Sequence, residues 1–352
     1  MDLFKRIMQP GIGSALLSAL LFGASAPAAK LLLHGISPVL LAGLLYLGSG
    51  IGLTLFNVWR RRRHGHEIVG LKRADIPRLA GAIFFGGIVG PILLMLGLSQ
   101  SPASSASLLL NLEGVFTALI AWFIVRENFD TRIAIGMVSI VAGGMLLSWQ
   151  GNAQFSIGSL FIIGACASWG IDNNVTQKIS HADPVVIASM KGFVSGMVTT
   201  MIALTIGERH FAAGPAAGAM IVGFLGYGVS LVLFVSSLKY IGTARTGAYF
   251  SFAPFVGSAL SIVIFSEPVT LLFLVSAVLM GIGLWFHLTE RHTHYHVHEA
   301  LDHEHKHVHD EHHQHAHPPG VDPKEPHTHP HHHEPIGHEH PHYPDLHHRH
   351  KH

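Results

Sequence analysis

Between Gly11 and Leu288 the chain is a succession of apolar runs separated by short polar connections. Each run of about 18 to 23 residues, at 1.5 Å rise per residue, is long enough as a helix to cross a hydrocarbon core of about 30 Å. Lipid offers no hydrogen-bond partner to the backbone, so such runs must satisfy their own N–H and C=O groups and fold as helices. The expected spans are residues 11–33, 38–59, 78–99, 104–125, 132–149, 156–177, 184–206, 216–238, 246–265 and 269–288. Turn and cap residues fill the connections, as in His34-Gly-Ile-Ser-Pro38, Ser101-Pro102, Asn128-Phe-Asp130 and Glu267-Pro268, and most are too short to hold a soluble domain. Only 12% of the residues are charged, about half the share of a soluble domain. The first run follows Lys5 and Arg6 and is long enough to read as an uncleaved span rather than a signal peptide. The expectation is an all-α polytopic membrane protein of about ten transmembrane helices in two inverted five-helix repeats, with a disordered tail. The expected domains are residues 1–150, 151–290 and 291–352.

Charge sets the expected orientation. With the N-terminus inside, Lys5, Arg6, Arg60 to Arg63, Lys72, Arg73, Arg78, Arg126, Arg132, Lys178, Lys239 and Arg245 all fall on the inner side, and Arg209 alone falls outside. Such asymmetry follows the positive-inside rule, and an even number of spans puts both termini in the cytoplasm of a multi-pass inner-membrane protein. No nucleic-acid footprint is present. Cys166 is the only cysteine, so neither an intramolecular disulfide nor a CxxC motif can form.

The halves repeat. Shifting the sequence by 140 positions lays Leu98 to Gly143 on Leu238 to Gly283 without a gap, matching Ile124 with Ile264 and Glu127 with Glu267. Phe22-Gly23 with Lys30 behind it corresponds to Trp169-Gly170 with Lys178 behind it, and Pro38 to Pro184. Five spans per half is an odd number, so the halves insert with opposite topology, the architecture of secondary transporters. No P-loop accompanies them, and the chain is not expected to be an enzyme.

These features resemble the drug/metabolite transporter superfamily with paired EamA-type halves, over residues 11 to 288. The most specific stretch is Gly242-Thr-Ala-Arg-Thr-Gly-Ala-Tyr-Phe-Ser-Phe-Ala-Pro-Phe-Val-Gly257 followed by Glu267-Pro268. The resemblance implies export of a metabolite, amino acid or drug. Many members carry a basic residue in the second span where Leu45 stands here, and the equivalent position of the second half is Lys191.

Ionisable groups inside spans cost at least about 2.5 kcal/mol each on insertion scales, so each needs a partner or a water-filled cavity. The candidates for a transport pathway are Glu113 with Asn111 in the fourth span, Asp172 with Asn173 and Asn174 in the sixth, Lys30 in the first and Lys191 in the seventh. Two carboxylates and two amines could neutralise one another as structural pairs, or line one central cavity that binds a cation or a proton. An organic substrate would instead use Lys30, Lys191 and the Tyr227, Tyr249 and Phe250 region.

From Arg291 onward the composition changes abruptly, with 24 of the 30 histidines in this tail. His292, His294, His296, His298, His303, His305, His307, His309, His331, His332 and His333 are candidate metal ligands, since neutral imidazole suits nickel, cobalt, zinc and copper. A segment so poor in apolar residues is expected to stay disordered. No cofactor is required; the expected partners are membrane lipid and a divalent metal ion or small-molecule substrate, with a homodimer left open. A histidine-rich C-terminus on such a bundle resembles the nickel and cobalt resistance exporters of the CnrT type, and implies a cytoplasmic metal collector feeding an efflux carrier.

Overall fold

The computed structural model describes residues 10–64, 70–125, 131–149, 156–179, 181–208 and 212–288, with 293–298, 301–307, 327–333 and 336–341 in the tail. Its body is a polytopic helical membrane bundle. Six helices are long and apolar enough to cross a bilayer, Gly11–Leu32, Pro38–Arg63, Arg73–Ser99, Ala103–Phe123, Pro184–Thr205 and Ala213–Ser237. Shorter apolar helices run over Ala134–Ser148, Ala253–Phe265 and Leu271–Phe286. The sixth span, Ile157–Gln177, carries the polar triplet Asp172-Asn173-Asn174. Large apolar side chains such as Leu55, Phe84, Val138, Met201, Val263 and Trp285 face outward, whereas serines and threonines are buried between helices, the inverse of a water-soluble surface.

Packing follows a pseudo-two-fold pattern. The second span lies along the seventh and the fifth along the tenth. The first packs on the eighth and ninth, as the sixth packs on the third and fourth. Spans two and seven cap each other's ends. Glu208, beyond the seventh span, accepts from Ser37 Oγ at 2.6 Å and Leu40 N at 3.0 Å where the second begins. Arg60, late in the second, pairs at 2.8 Å with Asp183, the N-cap of the seventh. Each clamp satisfies the unpaired donors of a helix start with an anion, the placement that the helix dipole favours. Glu267 does the same for the fourth span, accepting from the backbone N–H groups of Ala103 and Ser104 and from the Ser104 hydroxyl. Its repeat partner Glu127 lies outside the described residues.

The helix Ser230–Phe250, which joins the end of the eighth span to the start of the ninth, bends sharply. Ser237 Oγ and Thr246 Oγ1 lie 3.1 Å apart, whereas nine residues of straight helix would separate them by about 13 Å.

The 140-residue offset reaches into fine backbone detail. The helix breaks at Leu110-Asn111 in the fourth span and, one residue past the matching position, at Ser251-Phe252 in the ninth. Two π-helical segments, Ile83–Val89 in the third span and Gly223–Val229 in the eighth, occupy matching positions. Their closing bonds match as well: Gly90 N–H donates to Phe85 O, and Ser230 N–H to Leu225 O, both five residues back.

The tail forms a separate unit, Arg291–Tyr343. Within it four segments are extended: β1 (Thr293–His298) pairs antiparallel with β4 (Ile336–Pro341), and β2 (Leu301–His307) with β3 (His327–His333). The physical reason is visible in β1, where histidines alternate with Thr293, Tyr295 and Val297, residue types favoured in strands. His292 and His309 lie outside the described residues.

Candidate functional site

Asp172 and Lys191 come together. The sixth span presents Asp172 and the seventh Lys191, and the Lys191 ammonium donates to both carboxylate oxygens at 2.7 Å. Both residues are about 95% buried, with relative exposures of 6% and 5%. Thr176, one turn on, adds a hydroxyl donor to Asp172 Oδ1 at 2.8 Å. A charge pair taken out of water stands only when its geometry is good and its remaining lone pairs find donors, and here both conditions are met.

Glu113 lies on the fourth span and is held differently. Asn173 Nδ2 donates to Glu113 Oε1 at 2.8 Å and to Thr117 Oγ1 at 3.2 Å. Asn174 bonds to the Thr117 and Gly170 carbonyls at 3.1 and 2.9 Å, joining spans four and six. The polar triplet therefore divides its work, with Asp172 directed to the seventh span and the two asparagines to the fourth.

Other expected residues stand apart from this cluster. Lys30 donates to the Leu98 and Ser101 carbonyls at 2.5 and 2.9 Å, where it satisfies acceptors at the end of the third span. Asn111 is buried and donates to the Leu108 carbonyl at 2.9 Å across the break in its own helix. Cys166 is buried against the Leu109 carbonyl. Among the described residues no group of three His, Cys, Asp or Glu side chains could hold a metal ion.

A cluster of aromatic residues meets the charged pair at Gly86; Tyr227 and Phe250 were expected to share a cavity with Lys191, whereas Phe22, Tyr46 and Trp169 were not. Phe22 lies 6.2 Å from Trp169, 5.8 Å from Tyr227 and 5.3 Å from Phe250, centroid to centroid. Tyr46 lies 5.5 Å from Tyr227. Tyr46 Oη and Trp169 Nε1 both donate to the Gly86 carbonyl, at 2.8 and 3.0 Å. Gly86 itself is pressed against the pair, since a methyl group there would overlap the Asp172 carboxylate. The counterpart Gly226 lies against Ser25, which corresponds to Asp172 in the alignment of Phe22-Gly23 on Trp169-Gly170. One half of the pseudo-symmetric centre is thus charged and the other is hydroxylic. The available signal was the Gly-rich match of residues 83–89 on 223–229, together with Pro91.

Comparison with known proteins agrees with this architecture. The chain is 26% identical over 290 residues to an uncharacterized transporter of Methanothermobacter thermautotrophicus, covering 78% of this chain and 84% of the relative. It is 22% identical over 278 residues to the uncharacterized transporter YoaV of Bacillus subtilis, covering 76% and 93%. A solved crystal structure of 15% identity superposes with a TM-score of 0.60 over 78% of this chain and 95% of that one, a likeness of fold. The EamA-like transporter family matches residues 9–149 and again 156–289, and the chain belongs to that family of membrane transporters.

Proposed function

We propose that the protein is a secondary exporter of the inner membrane that moves a small, charged organic solute by alternating access, with both termini cytoplasmic. The observation that carries the reading is the buried Lys191–Asp172 pair, which meets an aromatic cluster at Gly86 where the third, sixth and seventh spans come together. Inverted repeats place their binding sites at such an interface and expose it to either side by rocking one half against the other. The chemistry fits an amino-acid-like zwitterion: Lys191 offers an ammonium to an anionic group, Asp172 and Glu113 offer carboxylates to a cationic one, and Phe22, Tyr46 and Tyr227 suit an apolar portion. Binding then requires the solute to replace one member of the ion pair, which ties occupancy to a change in the spans that carry it. The charge asymmetry of the connections supports the orientation.

A second reading, export of nickel or cobalt, is favoured by the tail. There β1 and β4 set His294 opposite His340 and His296 opposite His338. In the other ladder His303, His305 and His307 face His331, His329 and His327. Directly opposed residues have Cβ atoms about 5 Å apart, close enough for two imidazoles to share one ion. In this reading the tail collects metal inside the cell and the bundle expels it.

One experiment separates the two. Cells expressing the intact protein, the Asp172→Asn variant or a form lacking residues 292–352, at equal membrane levels, are loaded with labelled amino acids or with nickel and cobalt. Lower retention of an amino acid that depends on Asp172 and not on the tail supports the first reading. Lower metal retention that depends on both overturns it in favour of the second.

A further inference from the structure

Gly86 carries a carbonyl that its own helix cannot satisfy while the segment is π-helical. In the π register that runs through Ile83–Val89, each carbonyl takes the N–H five residues on, as Phe85 O takes Gly90 N–H. The next donor in that series belongs to residue 91, which is proline and has no N–H. Tyr46 of the second span and Trp169 of the sixth supply the missing donors at 2.8 and 3.0 Å. If the segment relaxed to the α register, Gly90 N–H would move to Gly86 O, four residues back, and compete with both side chains for the same oxygen. Two backbone states therefore contend for one acceptor.

The neighbours of this oxygen are the transport site. Gly86 lies against Asp172, and Gly87 against Ser195 of the seventh span, one turn beyond Lys191. The matching π segment of the other half lies against the first and second spans. It has Leu231 where the third span has Pro91, so the proline that strands the carbonyl belongs to one half alone.

We infer that the Gly86 carbonyl is a latch: Tyr46 and Trp169 are positioning residues that hold the third span in its π state, and the π-to-α exchange at Ile83–Val89 is the hinge by which that span reorients during transport. The inference uses the alternating-access reading only to name the motion. π-Bulges recur at functional sites, and changing the register re-aims Gly90–Ser99 relative to Ile76–Ala82. Two substitutions act on the latch from opposite sides. Tyr46→Phe removes a donor that only the π state uses. Pro91→Ala restores an N–H that the α state needs at Gly87 O, while the π carbonyl already has two side-chain donors. Both should move the equilibrium the same way.

The test requires no substrate. Spin labels at Gln100→Cys and Ala213→Cys, in the full chain with Cys166→Ser, report by pulsed electron resonance the distance between the ends of the third and eighth spans. Tyr46→Phe and Pro91→Ala should each shift the ratio of the two distance populations in the same direction. The expected change is about five-fold, corresponding to one net hydrogen bond. Phe84→Leu, on an exposed side chain of the same π segment, should leave the ratio unchanged. Shifts in opposite directions, or a distribution indifferent to both latch variants, would overturn the latch. Because the distances are read without transport, loss of the exporter reading and loss of the latch are separate results.

Discussion

Replacing Lys191 by methionine keeps the length of the side chain and removes the ammonium that contacts both oxygens of Asp172 at 2.7 Å. The Asp172 carboxylate is then left at 6% exposure with the Thr176 hydroxyl as its remaining donor. Leaving one member of a buried pair uncompensated costs about 3–5 kcal/mol. Asp172→Asn strands the ammonium instead and should cost a similar amount. In the double variant no charge is stranded, and replacing a buried pair by apolar or neutral groups is often neutral or stabilising by about 1–4 kcal/mol. The double variant should therefore recover most of the stability lost by either single one, a coupling that a double-mutant cycle isolates. The assay is thermal denaturation of detergent-solubilised protein followed by size-exclusion chromatography, with Leu53→Ala as a packing control of comparable burial. Losses that simply add in the double variant would refute the reasoning, because the two groups would then be energetically independent. Transport should be lost in all three variants, since recovery of the fold does not restore the charges.

Glu267→Gln weakens the cap on Ala103 and Ser104 and should lower stability by about 1 kcal/mol, read from the same melting curves, with less effect on substrate affinity than on folding. Gly86→Ala inserts a methyl group into the Asp172 carboxylate; overpacking of this kind costs about 1–3 kcal/mol, and transport should fall further than stability does. Arg60→Ala opens a pair whose side chains are 24% and 18% exposed, between a surface pair and a buried one, so its loss should cost about 1–3 kcal/mol in a melting experiment. Full-length protein should bind nickel by calorimetry more tightly at pH 7.5 than at pH 5.5, because imidazole ligands must be deprotonated; replacing His294, His296, His338 and His340 should weaken binding more than replacing His332 and His333.

The membrane bundle was legible in the sequence because lipid imposes one rule on every span: length and apolarity are dictated residue by residue, and no tertiary contact overrides them. The inverted repeat was legible through the match of Glu127 with Glu267 and of Phe22-Gly23 with Trp169-Gly170; Glu267 caps a helix start, and Gly23 and Gly170 each pack closely against another helix. Within the site, Asp172 and Lys191 could be named because a charge in mid-span needs a partner, yet sequence cannot say which partner. Spatial proximity assigned Lys191 to Asp172 and left Lys30 with the carbonyls of Leu98 and Ser101. Tyr46 and Trp169 were passed over because an aromatic residue in a span is ordinarily read as packing; their role depends on a carbonyl stranded by Pro91. In the tail, the period-two alternation of histidine with Thr293, Tyr295 and Val297 accompanies the extended backbone of β1.

The most direct test of the central claim is uptake of labelled amino acids into proteoliposomes containing the intact protein or the Asp172→Asn/Lys191→Met double variant, each matched for folded protein by its melting curve. The account predicts saturable uptake of at least one amino acid by the intact protein and background uptake by the double variant. Equal uptake by the two would contradict it, because a carrier that works without the buried pair does not use that pair as its site.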